Sequence, residues 1–283
     1  MLLIVGFLIV LGSVAGGYVL SHGELMALWQ PYELIIIGGA AFGAFVVSNP
    51  SKTLKAVFKS IPALLKGSPY NKSIYLDLLS LLFDILNKAR KEGMMAIEND
   101  IEEPDSSELF NKYPKIQKNH HAVEFIADYF RLVVSGSMNP FEMEALMDLE
   151  LQTHHHEAEA PGDALQSVAD ALPGFGIVAA VLGIVITMGS LGGPPEVIGH
   201  HVAAALVGTF LGILIAYGFV GPMATSIKNM AAAEGKFFEV IKTVIMASLN
   251  GYTPQVAIEF GRKAMYASDR PGFKELEEHI KNK

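Results

Sequence analysis

The sequence has no cysteine, no lysine or arginine before Lys52, and less positive than negative charge overall, with 21 Lys and Arg against 29 Asp and Glu. Without cysteine, disulfides and thiolate metal sites are excluded. The net charge of −8 argues against a nucleic-acid partner, which calls for a basic footprint. A secretory signal peptide carries a basic segment ahead of a short apolar core. None precedes the first apolar run, so residues 1–20 are expected to remain as a membrane helix.

Charge is also missing over long stretches. Residues 1–20, 34–49 and 171–195 carry none, and 197–227 carry only two histidines. About 20 mainly apolar residues cross a bilayer, so four membrane helices are expected. The loop "SHGELMALWQPYE" and the stretch "SLGGPPEVIGHH" lack Lys and Arg, whereas Lys52, Lys55, Lys59 and Lys66 follow the second helix, and Lys228 and Lys236 the fourth. By the positive-inside rule the two short loops lie outside, and both termini and the long middle stretch are cytoplasmic. The expected layout is helix 1 over 1–20, an outer loop over 21–33 and helix 2 over 34–50. A cytoplasmic helical domain over 51–170 comes next. Helix 3 over 171–191, an outer loop over 192–199, helix 4 over 200–225 and a cytoplasmic helix and tail over 226–283 complete it. No stretch alternates with strand period, so the fold class is an all-α polytopic membrane protein with a large helical cytoplasmic domain.

In that domain Ile74, Leu78, Leu82 and Leu86 recur every fourth residue, as on one face of a helix. Gly93 breaks the run, "EEPDSS" reads as a turn, and a second amphipathic stretch closes at Gly136. "NPFE" reads as a capping box, with Asn139 as cap, Pro140 first in the helix and Glu142 reaching back.

No Asp, Glu, Lys or Arg is expected inside the spans. A proton carrier in a membrane is typically an intramembrane carboxylate. The chain by itself therefore moves no ion, or takes that acid from a partner. Pro173 begins the third span, where it is either a helix start or a break. Pro222 lies near the cytoplasmic end of the fourth, inside a run that reads as continuous helix. A proline frees a carbonyl one turn earlier, which makes the two a candidate hinge pair. Thr209 and Tyr217 are the polar groups of the fourth span; for Thr209 a bond to the preceding turn and a pore-lining role both stand. Glycine pairs at spacing four (Gly12 and Gly16, Gly39 and Gly43, Gly208 and Gly212) suit close helix packing, in this chain or with another. Consecutive histidines 154–156 point in different directions on a helix, so with His120 and His121 they read as solvated surface rather than a metal site. No nucleophile constellation, zinc spacing or phosphate-binding loop is present, which leaves an enzyme without parts.

The blocks "GFGIVAAVLGIV", "LVGTFLGILIAYGFVGPMAT", "NPFEMEALMD" and "SLNGYTPQVAIEFGRKAMYASDRPGFKELEEHI" closely resemble the MotA family of flagellar motor stator subunits. The resemblance runs from the first residue into the C-terminal tail. It implies an inner-membrane ring, a pentamer around two MotB chains whose membrane aspartate carries the ion, and no cofactor or metal. It implies that Pro173 and Pro222 take part in the shape change driven by ion passage. It further implies that Arg90 and Glu98, with Glu150 more weakly, face charges on the rotor protein FliG. Sodium-driven relatives place threonines at three positions that here are Ala180, Gly208 and Thr209, so the resemblance implies protons as the coupling ion. A related alternative is the ExbB/TolQ class of energisers, which typically has three spans rather than four. A passive membrane scaffold is a third reading, and it leaves the prolines and charges without a joint explanation.

Overall fold

Prolines and glycines sit where helix geometry asks for them. Pro31, Pro114, Pro140, Pro195 and Pro254 each open a helix, where the absent N–H would have had no partner in any case. Gly67, Gly93 and Gly136 each follow a helix end with φ of 78°, 95° and 61°, values that L side chains seldom adopt. The computed structural model describes residues 2–281 and is built from helices only among them. In chain order these are α1 Leu2–Leu20, α2 Pro31–Ser48, α3 Ser51–Lys66, α4 Lys72–Glu92, α5 Glu98–Glu102, α6 Glu108–Asn111 and α7 Pro114–Gln117. There follow α8 His120–Ser135, α9 Pro140–Gly189, α10 Pro195–Ile215, α11 Gly221–Leu249, α12 Pro254–Ala264 and α13 Phe273–Lys281. A π-helical turn, Ala216–Val220, joins α10 to α11.

Two compact units divide the chain: residues 1–67 with 157–231, and 68–156 with 232–283. In the second unit α4 contributes Leu78, Leu79, Leu81, Leu82 and Ile85, all fully buried, to a core shared with Phe125, Ile126 and Phe130 of α8 and Phe237, Ile241 and Val244 of α11. Removing one such leucine side chain costs about 2–5 kcal/mol. The caps match the sequence: Asn71 accepts from the N–H of Ser73 and Ile74, and Asn139 accepts from Glu142 while Glu142 accepts from Asn139, at 3.0 and 3.1 Å. The buried carboxylate of Asp77 is held between Lys115 at 3.5 Å and His279 at 3.3 Å, which fastens α13 to α4.

The first unit contains the apolar helices. Four helical stretches are long and apolar enough to cross a membrane: Leu2–Leu20, Leu25–Ser48, Pro140–Gly189 and Pro195–Leu249. Along α1 no residue is buried. In α2 the buried residues are Glu33, Ile37, Ala41 and Phe45, one stripe at spacing four. Ile37 and Ala41 join Leu172, Ala179 and Ala216 in one cluster, and Phe45 joins Val57, Leu64, Leu165, Ala224 and Ile227 in another.

Three expectations change. The second apolar helix begins at Pro31, not after Glu33, because proline seeds the first turn and an acid is favoured there by the helix dipole. Pro173 is no helix start: it lies inside α9, which runs unbroken from Pro140. His154 is not a solvated surface group but packs its ring on Phe238, 4.7 Å between centroids, with its Nε2 3.8 Å from Glu234.

Candidate functional site

The apolar bundle is tightest where α9 meets α10. A Cβ added at Gly212 would stand 2.8 Å from the Leu172 carbonyl oxygen and 2.9 Å from the Gly176 Cα. One added at Gly176 would lie 3.0 Å from the Gly208 carbonyl oxygen, and one at Gly183 2.8 Å from the Ala205 Cβ. The partner of the Gly208 and Gly212 pair is therefore α9 of the same chain. Gly12, Gly16, Gly39 and Gly43 have open space where a Cβ would be.

The Ala180 backbone N lies 3.5 Å from the position of a Gly208 Cβ. Thr209 is half-buried, its backbone against Gly176. The bond to the preceding turn expected of a membrane threonine is made by Thr187, at 2.8 Å, and by Thr225, at 3.1 Å. Tyr217, by contrast, is 67% exposed in the π-helical turn and does not line the α9–α10 contact.

Both prolines act on one level of the bundle. Pro173 withholds a donor from the carbonyl of Ala169, and the position of a Gly221 Cβ is 3.9 Å from the Ala169 Cβ. Pro222 adjoins that Gly221. Its strain is met by widening the helix immediately before it, where the Gly221 N–H reaches the Ala216 carbonyl across five residues. Such π-turns absorb a kink where a proline disrupts the ordinary ladder.

The remaining residue of note was not anticipated. Glu33 is 8% exposed, its Oε2 has no hydrogen-bond partner among the described residues, and that atom lies 3.0 Å from the position of a Gly208 Cβ. A carboxyl thus reaches the same spot as Ala180 and Gly208. A spacing-four stripe traced backwards from Phe45 through Ala41 and Ile37 ends on Glu33, and that signal would have found it.

In the second unit Arg90 lies in the last turn of α4 and Glu98 begins α5, with Gly93 and the turn Met94–Ile97 between them. Both side chains are exposed. Near Glu98, a shallow groove of about 210 Å³ is lined by Met95, Ile101, Glu102, Arg131 and Val134. Arg131 donates to Glu102 at 2.6 and 3.1 Å and holds that carboxyl below the usual range. Glu150 is less free: it accepts from the Tyr129 hydroxyl at 2.6 Å, and burial, followed by that bond, pushes the Tyr129 hydroxyl's pKa well up. Among the described residues no cluster of three or more His, Cys, Asp or Glu is placed to hold a metal.

A bundle of four helices long and apolar enough to cross a membrane, pinched at glycine contacts and carrying two prolines at one level, defines a polytopic membrane protein. Residues 4–93 match the model of the motility protein A N-terminal domain, and residues 117–239 that of the MotA/TolQ/ExbB proton channel family. The chain is 50% identical to the motility proteins A of Salmonella typhimurium and Escherichia coli, in each case over 99% of this chain and 95% of that protein. Its fold is similar to a chain of the C. jejuni MotAB structure, with a TM-score of 0.79 at 20% identity over 95% of this chain and 98% of that one. The chain belongs to the motility protein A branch of the MotA/TolQ/ExbB proton channel family.

Proposed function

We propose that the chain is a stator subunit of the bacterial flagellar motor, coupling proton flow to torque on the rotor. The observation that carries this reading is half-identity to motility proteins over nearly the whole length of both chains. The chain sits in the inner membrane with both termini in the cytoplasm, and forms a ring, a pentamer, around two MotB chains. The ion is carried on the MotB aspartate. Neutralising and recharging an acid in a low-dielectric setting changes its attraction to its surroundings by several kcal/mol. That change is read at the level of Ala169 and Gly221, where proline removes a backbone donor from each of two helices. Arg90 and Glu98, both exposed and close together in sequence, pass the movement to FliG by charge, with Glu150 in a lesser part because Tyr129 already holds it.

The coupling ion is the proton. Sodium must shed water and regain several hard oxygen ligands. At Ala180, Gly208 and Thr209 the chain offers one side-chain hydroxyl, and with the Glu33 carboxyl beside Gly208 that is still fewer oxygen ligands than the hydration shell sodium gives up. The test is swimming speed of cells with this chain as the sole stator subunit of its kind, paired with MotB, when sodium is replaced by potassium at fixed pH. Speed should hold, and a protonophore should abolish it. Speed that collapses without sodium and survives the protonophore would overturn the assignment.

A further inference from the structure

We infer that Glu33 is a proton-relay residue on the wall of the ion path, a second protonatable station supplied by this chain itself. The inference rests on the stator reading above. Glu33 heads the stripe Glu33, Ile37, Ala41 and Phe45, the buried face of α2. Every other member is apolar, and packing alone would favour an apolar residue at its head too. A buried carboxyl without a donor is costly, and such groups in membrane segments mark ion pathways. Here the Oε2 has no partner among the described residues, so what satisfies it comes from outside the chain: a proton, water, or a donor on an adjacent chain. Its location selects among these. The atom lies at Gly208, beside Ala179 and Ala180, the place where α9 and α10 carry residues that bear on ion choice. Gly208 has no side chain, and that absence leaves the room the carboxyl occupies: a Cβ there would stand 3.0 Å from Oε2.

No other ionisable group along the packed elements competes for the role. From Ala171 to Gly189 α9 carries none. On α10 the ionisable groups are Glu196, His200 and His201, and His200 is eight residues from Gly208, about 12 Å along a helix. Ahead of α2 are Glu24 and His22, and in its first turn the exposed Tyr32. In the relay, the Glu33 carboxylate takes a proton from a hydronium ion entering from outside: an O–H bond of the hydronium breaks, one forms on the carboxyl, and water is left behind. The new bond breaks as the proton passes to the ionised carboxylate of the MotB helix, and Glu33 ends each cycle ionised as it began. No oxidant or co-reactant is consumed.

The test uses the whole complex in cells that carry this chain and MotB as their only stator. Motor speed is read at low load, where ion transit limits rotation, across external pH from about 5 to about 8, with the amount of chain in the membrane measured alongside. Glu33→Gln keeps the shape and the hydrogen-bonding capacity but cannot titrate, and should slow the motor by about a hundredfold, the lower end of what a positioned proton-transfer group contributes. Glu33→Asp should stay within about threefold of wild type, with its speed–pH curve displaced. Wild-type speed at every pH in a Glu33→Gln complex of normal abundance would overturn the relay, and would show the carboxyl to be only a hydrogen-bonding group. Should Glu33→Gln fail to reach the membrane, a Glu33→Asp curve superimposable on wild type overturns it equally, and a displaced one supports it. A wild-type chain that powers no swimming overturns the stator reading, and the relay falls with it.

Discussion

Substituting Gly212 tests how close the α9–α10 contact must be. The Cβ of Gly212→Ala would meet two backbone atoms, the Leu172 oxygen at 2.8 Å and the Gly176 Cα at 2.9 Å. Backbone cannot rotate away as a side-chain tip can, so the helices must part. Ordinary contact begins at about 3.5 Å, which requires a separation of about 0.7 Å. Overpacking of this kind costs about 1–3 kcal/mol. For a chain of this size each kcal/mol lowers the melting midpoint by about 2–4 °C. Purified protein in detergent, followed by circular dichroism, should therefore melt several degrees lower in Gly212→Ala, and lower still in Gly212→Val. Gly39→Ala is the control, because a Cβ there meets nothing within 4 Å, and its midpoint should not fall. The separation also opens the turn that holds Pro173, so swimming supported by Gly212→Ala should drop further than its abundance in the membrane. An unchanged midpoint in Gly212→Val would refute the argument, since no rearrangement of flexible side chains makes that space.

Alanine at Pro173 or Pro222 restores a backbone donor and removes a ring clash; each variant should reach the membrane and bind its partner by pull-down yet give little torque in a tethered-cell assay. Arg90→Glu should impair swimming, and a reversed charge on the rotor should partly restore it, while a neutral change at Arg90 alone should do little because exposed pairs contribute about 1 kcal/mol or less. In the second unit, the Arg262 guanidinium hydrogen-bonds Glu259 and holds its carboxyl below the usual carboxylate range. The unfolded chain therefore binds that proton at higher pH than the folded one, so the stabilisation is present above the ordinary carboxylate value and is lost as pH falls through the depressed one. Denaturation midpoints measured from neutral to acidic pH should fall less steeply in Glu259→Gln than in wild type.

How much of this was legible depended on whether the signal was local. Caps and breaks are local, so Asn139 with Glu142, Gly93 and Gly136 could be read directly from the residues. The interior position of Pro173 could not: a proline is favoured at a helix start, and only packing over several turns keeps α9 continuous through it. The Gly208–Gly212 pair announced a close approach, but its partner on α9 is set by tertiary contact that spacing does not encode. Glu33 was misplaced because counting uncharged residues starts a span after its last charge, whereas the helix starts at its proline. Likewise, His154 seemed a polar surface residue because composition cannot show which face Phe238 covers.

The π-helical turn at Ala216–Val220 has a consequence for phase. An α-helix advances about 100° per residue, so one extra residue in a single turn rotates everything after it by that angle. Upstream, α10 turns Gly208 and Gly212 toward α9. Downstream, α11 turns Ala224 and Ile227 into the cluster with Phe45 and Leu165. Were the same residues wound as ordinary turns, these two faces could not both point inward. Deleting a single residue between 216 and 220 would let the turn close as an ordinary α-turn and leave the downstream face on its seat, whereas a deletion elsewhere in α10 or α11 would swing one face about 100° against the other. Moving that extra residue one turn along the helix would exchange the Gly221–Ala216 bond for an ordinary one and turn only the residues between the old and new positions by about 100°.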